Sequence, residues 1–242
     1  MKHILITGAS GGIGAAIARE LASPSCSLFL HYYQNVEAAE YLAIECQRKG
    51  AKVTLLQADL SNNRGDEQLL KTIPKEVAFH TIIHNAGVSQ IGLFTDVTNQ
   101  QMTEMLNIHL VNPMKISRSL LPNMIRKRKG KIIMISSIWG LTGASCEVIY
   151  STAKGGVNSF VKGLAKELAP SNIQVNGIAP GAIETNMLSD QGIDSLEELK
   201  ADIPANILGQ PSDVAHAVAF LSSSRANYIN GHILSINGAW YC

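Results

Sequence analysis

The chain has 242 residues, of which 46% are hydrophobic and 16% are charged, and its formal net charge is +1. These values are typical of a soluble globular protein with one large α/β domain or two small ones, and they allow a sizeable buried core. A net charge this small excludes a global electrostatic field that gathers nucleic acid or an anionic membrane.

Strand-like apolar runs alternate with helical patterns along the chain. The strands are predicted at Ile4–Thr7, Ser27–His31, Lys52–Gln57, Thr81–Asn85, Lys131–Ser136, Gln174–Ile178 and His232–Ile236. Helices are predicted, among others, at Ile13–Ala22, Val36–Lys49, Met102–Met124, Ser151–Ala169 and Pro211–Leu221. Runs such as Ile132–Ile135 are apolar throughout, which indicates strands buried on both faces. We therefore expect residues 1–242 to form a single doubly wound Rossmann domain, an α/β fold whose seven-stranded parallel sheet carries helices on both faces.

The longest irregular stretch runs from about Gly181 to Gln210, with a short helix predicted at Leu196–Lys200. A long loop at this place in an α/β fold is typical of a lid over a ligand.

Cysteine spacing and the start of the chain bear on the cellular compartment. None of the four cysteines shows metal-ligand spacing, so we expect reduced thiols, no metal site and a cytoplasmic protein. Cys146 and Cys242 are expected to be buried small hydrophobes rather than redox switches. The first residues enter a strand directly, so neither a signal peptide nor a membrane span is expected.

The one dense basic run is Arg126–Lys129. We interpret it as a solvated helix C-terminus, which the helix dipole favours. Docking of an acidic carrier protein is the alternative.

Thr7–Gly14 reads TGASGGIG directly after the first predicted strand and opens the first helix. Glycines at positions 8, 12 and 14 permit a tight turn in which main-chain N–H groups and the helix N-terminus approach a pyrophosphate. A glycine-rich turn alone is equally compatible with a plain loop. The strand-turn-helix setting favours a dinucleotide site.

Cofactor preference should be set where the second strand ends. A carboxylate there accepts the ribose hydroxyls of NAD and repels a 2′-phosphate, but residues 31–35 read HYYQN and include no acid. We therefore expect NADPH, with donors from Ser10 and the polar side chains of residues 31–35. Asp59 is expected to accept from the adenine amino group, unless Asp59 or Ser61 instead caps a helix.

Tyr150 and Lys154 are four residues apart on a helical pattern, so their side chains share one face. A phenol is about one part in a thousand ionised at neutral pH, and a neighbouring ammonium makes it a better acid. Ser137, at the end of a strand, can hydrogen-bond a substrate oxygen. In isolation such a Tyr-Lys pair is an ordinary helix surface, but beside a dinucleotide site it predicts ketone reduction by hydride transfer.

At this point the chain resembles the short-chain dehydrogenase/reductase family from Lys2 to Trp240. The matching motifs are Thr7-Gly8-(x)3-Gly12-Ile13-Gly14, Asn85-Ala86-Gly87, Ser137, Tyr150-(x)3-Lys154 and Pro180-Gly181. The resemblance implies that Tyr150 is the acid/base, that Lys154 also holds the nicotinamide ribose, and that residues 229–240 pack in a homotetramer. The cofactor contacts expected from it and from the residues are Gly8, Ser10, Gly12, Ile13, Gly14, Tyr32, Asp59, Leu60, Asn85, Ala86, Gly87, Tyr150, Lys154, Pro180, Gly181, Ile183 and Thr185.

Two positions depart from the family pattern. His84 stands where an asparagine is usual, which alters a packing role. Alignment on Leu110 places His109 at the active-site asparagine that organises a relay water through a helix irregularity. Asn107 cannot substitute, because two helical residues differ by about 200° of rotation. We expect His109 to line the relay as a shuttle or through its carbonyl, against the alternative of a helix histidine with no chemical role.

Within the family the chain is similar to 3-oxoacyl-acyl-carrier-protein reductases. Residues 136–147 and 237–242 more narrowly resemble the elongation factor P 5-aminopentanone reductases, which reduce a ketone on a modified lysine. Trp139 and Glu147 are the expected substrate contacts, and the Glu147 carboxylate suits a cationic amine. Glu147 pairing with a lysine or facing solvent is the alternative. A non-catalytic NADP-binding sensor is a further alternative, since fold alone does not establish catalysis.

Overall fold

The structure is a computed structural model that describes residues 1–185, Leu188 and residues 196–242. Its strands are β1 Lys2–Ile6, β2 Cys26–Tyr32, β3 Lys52–Gln57, β4 Thr81–His84, β5 Gly130–Ile135, β6 Ile173–Pro180 and β7 Ile233–Ile236. Its α-helices are α1 Gly12–Leu21, α2 Val36–Arg48, α3 Gly65–Lys71, α4 Asn99–Leu106, α5 Asn112–Lys127, α6 Trp139–Thr142, α7 Val148–Leu168, α8 Leu196–Asp202 and α9 Pro211–Ser222. A π-helix spans Asn107–Val111, and 3₁₀ turns span Phe94–Asp96, Ala169–Ser171 and Ser224–Ala226.

The strands form one parallel sheet in the order β3-β2-β1-β4-β5-β6-β7. The chain reverses its direction of progress across the sheet between β1 and β4, which opens a crevice at their carboxyl ends. The sequence-based prediction of a seven-stranded Rossmann sheet is confirmed.

Successive side chains of each strand point to opposite faces of the sheet and pack into two separate hydrophobic cores. Ile4 and Ile6 of β1 pack with α1, α2 and α9 on one face, whereas Leu5 packs on the other face with α3, α5 and α7. Because both faces are covered, the strands are continuous apolar runs rather than alternating ones.

Most element boundaries differ slightly from the sequence-based prediction, and the differences in three helical segments bear on the site. The single helix expected over Met102–Met124 is α4, the π-helix and α5 in succession, running from Asn99 to Lys127. α7 begins at Val148, three residues earlier than expected, which puts Tyr150 in its first turn. The short helix expected at Leu196–Lys200 is present as α8, whereas residues 186, 187 and 189–195 of the expected lid lie outside the described residues.

The structure bears on two expectations about exposure, one for the basic run at the end of α5 and one for two cysteines. Arg126 and Lys127 occupy the exposed last turn of α5, and Arg128 ends it in a left-handed conformation, as expected of a solvated helix terminus. The expectation of burial is wrong for Cys146, which is half-buried, and for Cys242, which is exposed. Of the helices described, none is both long and apolar enough to cross a membrane.

Candidate active site

Ser137, Tyr150 and Lys154 come together at the carboxyl edge of the sheet. Ser137 follows β5, and its side chain hydrogen-bonds that of Tyr150. Lys154 Nζ lies 5.5 Å from the centre of the Tyr150 ring and donates to the carbonyl of Ile135 at 2.7 Å. This last bond fixes the lysine to the end of the strand that precedes Ser137.

Desolvation dominates the electrostatics of the pair. It raises the pKa of Tyr150 to about 12, against the hydrogen bond from Ser137, and the Glu147 carboxylate raises it further. Desolvation also lowers the pKa of Lys154 to about 7. A phenol of lowered pKa was expected from charge alone. The protein instead keeps Tyr150 protonated at neutral pH, which is the form that gives a proton away.

A buried polar chain that the sequence did not reveal lies next to the main chain of Lys154. Ser136 Oγ donates to Asn158 Oδ1 at 2.7 Å, and Asn158 Nδ2 donates to the Gly140 carbonyl at 2.9 Å. A Cβ at position 140 would lie 2.7 Å from the carbonyl carbon of Lys154. α6 and α7 therefore approach so closely that only glycine fits at this position.

His109 lies in the π-helix, beside Tyr150. The two rings meet edge to face with centres 5.1 Å apart, and His109 Nε2 contacts the Val88 carbonyl oxygen at 2.7 Å. Burial and the nearby Lys154 charge hold the His109 pKa well below its usual value, so the ring is neutral and Nε2–H donates to Val88. Nδ1 is then a buried acceptor, and it finds no hydrogen-bond partner among the described residues.

Pro113 removes the α-helical hydrogen-bond donor for the His109 carbonyl. In an α-helix the carbonyl of residue 109 accepts from the N–H of residue 113, and proline has none. The π register shifts the ladder by one residue here, so that the N–H of Asn112 reaches the Asn107 carbonyl. The irregularity expected around His109 is therefore present.

His84 replaces the usual asparagine with a different buried contact. Its Nε2 lies 2.9 Å from Ser117 Oγ on α5, and burial lowers its pKa to about 3. The ring is therefore neutral and joins β4 to α5.

The glycine turn is shaped by close main-chain approaches. Gly8 has φ +64°, and a Cβ there would lie 2.7 Å from Ala86 Cα. A Cβ at Gly14 would collide with the Gly8 carbonyl oxygen, and one at Gly12 would lie 2.8 Å from Thr185 Cγ2. Ile13, half-buried, packs against the core beneath. These approaches leave no room for a Cβ at the three glycines, so the turn packs directly against its neighbours.

His31 holds this turn from below, a role that sequence analysis missed. Gly8 N–H donates to His31 Nδ1 at 3.0 Å, so Nε2 carries the proton and donates to the Ala58 carbonyl at 3.1 Å. Burial lowers the His31 pKa to about 4. The expectation that His31 donates to a 2′-phosphate is wrong, because the ring is 2% exposed and both nitrogens are occupied.

Other side chains at the end of β2 remain near the surface. Tyr33 is exposed, and Tyr32 and Ser10 are half-buried. Asn35 Oδ1 caps α2 by accepting from the Ala38 N–H at 3.0 Å. Tyr32, Tyr33, Gln34 and Ser10 are thus polar side chains that remain to meet a ribose or its phosphate.

Asp59 forms a local turn rather than a helix cap. Its Oδ1 accepts from Ser61 N at 2.9 Å and from Ser61 Oγ at 2.6 Å. The alternative that Asp59 or Ser61 caps a helix is wrong, because α3 begins at Gly65 with Arg64 at the N-cap. Leu60 is buried beside them.

The segments after β4 and β6 flank the glycine turn. Thr7 Oγ1 accepts from the main-chain N–H groups of Asn85 and Ala86, both at 3.0 Å, and Asn85 Nδ2 donates to the Gly8 carbonyl at 3.0 Å. Gly87 packs against the His109 ring.

On the other side of the turn lies the segment after β6. The Pro180 carbonyl accepts from Ile138 N–H at 3.0 Å. Gly181 N–H donates to the Ile236 carbonyl at 2.9 Å, and Ile183 pairs with Gly209.

Glu147 lies beside Tyr150. It neither pairs with a lysine within the described residues nor faces solvent fully. It is half-buried and lines a small cavity of about 20 Å³ together with Tyr150. Its Oε2 accepts from Ser89 Oγ at 2.9 Å, its carboxylate also hydrogen-bonds the Trp139 side chain, and desolvation raises its pKa. The ion pairs found within the described part of the chain do not include Glu147. Trp139 meets Trp240 edge to face, with ring centres 5.2 Å apart.

Known proteins share this sequence pattern and architecture. The family model described as short chain dehydrogenase matches residues 2–195. The chain is 50% identical over 242 residues to the uncharacterized oxidoreductase YmfI of Bacillus subtilis (strain 168), covering 100% of this chain and 99% of that protein. It is 35% identical over 246 residues to the 3-oxoacyl-[acyl-carrier-protein] reductase FabG of Aquifex aeolicus (strain VF5), covering 99% and 97% respectively. The crystal structure of the angucycline C-6 ketoreductase LanV with bound NADP is similar with a TM-score of 0.90 at 26% identity, covering 98% of this chain and 94% of that one.

Proposed function

The chain belongs to the short-chain dehydrogenase family, and on that basis we propose that it reduces a ketone with hydride from NADPH. The observation that carries the proposal is the convergence of Ser137, Tyr150 and Lys154 at the carboxyl edge of the sheet, which also carries the glycine turn. A non-catalytic sensor would have no need of a buried lysine in contact with a protonated phenol.

The residues at the carboxyl edge fit a dinucleotide. Glycines at 8, 12 and 14 permit a tight turn in which a Cβ would collide with neighbouring protein atoms, and main-chain N–H groups at the start of α1 suit a pyrophosphate. Asn85, Ala86 and Gly87 would lie along one side, and Pro180, Gly181, Ile183 and Thr185 along the other. When bound, the reduced nicotinamide supplies the hydride. The absence of a carboxylate in residues 31–35 supports NADPH over NADH, as does the NADP held by the similar ketoreductase.

Tyr150 acts as the acid in this proposal. Its pKa of about 12 keeps the proton on the phenol at neutral pH until charge develops on the ketone oxygen. Ser137 hydrogen-bonds the same oxygen and orients it. Lys154, where protonated, stabilises the phenolate that proton transfer leaves behind. The His109 carbonyl, whose α-helical donor Pro113 removes, would hold a water that returns the proton in this proposal.

We further propose that the ketone carries an amine, as in the 5-aminopentanone modification on a lysine of elongation factor P. Glu147 offers a carboxylate beside Tyr150, and the Trp139–Trp240 pair adds two indole rings, which attract cations over their faces. A neutral acyl chain gains nothing from that charge.

A 3-oxoacyl-acyl-carrier-protein is the second candidate substrate. The 35% identity to a reductase of that name and the exposed basic residues Arg126–Lys129 favour it, because carrier proteins are acidic.

The experiment compares two substrates under identical conditions, each with NADPH. One is elongation factor P bearing the aminopentanone, and the other is a 3-oxoacyl thioester on acyl carrier protein. We expect kcat/KM to be higher for the first. A higher value for the thioester would select the second candidate, and no turnover of either would remove both. We also propose that the protein is a homotetramer located in the cytoplasm. Light scattering of the purified protein tests the oligomeric state.

A further inference from the structure

A second cleft lies at the opposite edge of the sheet from the glycine turn, where the strands begin. The starts of β1, β5 and β6 line it, together with residues at the end of α9. Its volume is about 300 Å³, which is the size of a small-metabolite pocket. Nothing in the proposed ketone reduction uses this cleft.

The lining of this cleft is positively charged. It includes Lys2, Lys129 and Lys131, and the residues that line it include no carboxylate. Lys131 is 5% exposed, and its Nζ donates to Asn227 Oδ1 at 2.9 Å. His80 also lines the cleft, and burial together with the three lysine charges lowers its pKa to about 4. The imidazole is therefore neutral, and the positive charge belongs to the lysines.

An unsatisfied hydroxyl also lines the cleft. Ser222 is 8% exposed, and its Oγ has no hydrogen-bond partner among the described residues. A buried hydroxyl normally finds a partner, because leaving it unpaired costs free energy. Gln174 and Asn172 add side-chain amides, so the cleft offers both charge and neutral donors.

We propose that this cleft binds a phosphate monoester of a small metabolite. Lys2, Lys129 and Lys131 supply positive charge for a phosphate dianion, with burial lowering the pKa of Lys131, and Ser222 in the wall of the cleft carries a hydroxyl that is unused within the described protein. The remaining polar lining and the volume suit a hydroxylated organic portion better than an inorganic ion alone. The site is separate from the nucleotide site, because the two lie at opposite ends of the parallel strands.

Titration calorimetry tests the proposal on protein saturated with NADPH, so that the nucleotide site is filled. Ribose 5-phosphate and inorganic phosphate are titrated separately at constant ionic strength. We expect ribose 5-phosphate to bind once per chain and more tightly than inorganic phosphate. Absence of binding overturns the site, and equal affinity for inorganic phosphate overturns the assignment to a monoester.

Matched variants distinguish binding within this cleft from non-specific attraction of the phosphate by positive charge anywhere on the protein. Lys2→Gln/Lys129→Gln should weaken ribose 5-phosphate binding by about tenfold or more, since charged hydrogen bonds are lost. Lys127→Gln/Lys162→Gln removes the same charge from exposed positions outside the cleft and should leave binding unchanged. Ser222→Ala should weaken binding without any change of charge. Equal weakening in both lysine pairs would contradict the proposal, and an unchanged Kd for NADPH shows that each variant is folded.

Discussion

His31 accepts the main-chain N–H of Gly8 through Nδ1 at 3.0 Å, so a side chain of β2 holds the turn between β1 and α1. Because Nε2 donates to Ala58 after β3, one neutral ring links three consecutive strands at their carboxyl ends. The bond works only with the unprotonated ring, which makes the turn sensitive to acid.

We predict that His31 contributes to loss of stability in acid. Its pKa is about 4 in the folded protein and near 6.5 unfolded, so its contribution is complete above pH 6.5 and is lost as the pH falls towards 4. The difference corresponds to about 3 kcal/mol. Urea unfolding between pH 7.5 and 4 should show a shallower decline for His31→Gln than for the unchanged protein. Parallel curves would contradict the prediction.

Gly14 should tolerate no side chain. Gly14→Ala places a Cβ against the Gly8 carbonyl oxygen and should weaken NADPH binding by about tenfold or more, although alanine favours a helix. Gly11→Ala is the matched control, because its Cβ would meet its nearest neighbour at 3.5 Å. Fluorescence titration with NADPH measures both. Similar affinities in the two variants would show that the close approach is not what shapes the site.

Tyr150→Phe should lower kcat for ketone reduction by about 10²- to 10⁴-fold, the usual contribution of a general acid. The Kd for NADPH should stay within about twofold, since the ring remains in place. Tyr41→Phe removes a phenol from an exposed position on α2 and should leave kcat unchanged. Turnover retained in Tyr150→Phe would move the acid role to another group.

We expect kcat/KM for reduction to fall as the pH rises through about 7. This parameter follows ionisation in the free enzyme, where the pKa of Lys154 is about 7 and that of Tyr150 is about 12. Loss of the ammonium removes the charge that stabilises the phenolate. A pH profile of kcat/KM, with the Kd for NADPH measured at each pH, tests this. A rate that rises above pH 7 would rule out the assigned role of Lys154.

Glu147→Gln should discriminate between substrates. The amide keeps the size of the side chain but loses the charge, so kcat/KM should fall about tenfold for an amino ketone and little for a neutral ketone. Glu40→Gln, an exposed change on α2, is the control. An equal effect on both ketones would remove the proposed amine recognition.

The sheet and the cluster of Ser137, Tyr150 and Lys154 were predictable because their signals are local. Buried parallel strands are continuous apolar runs, and Tyr150 and Lys154 are one helical turn apart. The glycine turn was recognisable because it immediately follows a strand.

Other features depend on contacts that no local pattern reveals. His31 reaches the Ala58 carbonyl only because of the register in which β2 pairs with β3. The local sequence HYYQN does not show which of its polar residues makes this contact. The edge-to-face contact of Trp139 and Trp240 joins residues far apart in the chain. For the π-helix, Pro113 was a local signal, since it removes the donor that an α-helical residue 109 needs.

The proximity of Gly12 and Thr185 joins two parts of the proposed nucleotide site. Because the glycine turn touches the segment after β6, a side chain at position 12 would displace both segments at once. We therefore expect Gly12→Ala to weaken nucleotide binding through the Thr185 segment as well as through the turn itself.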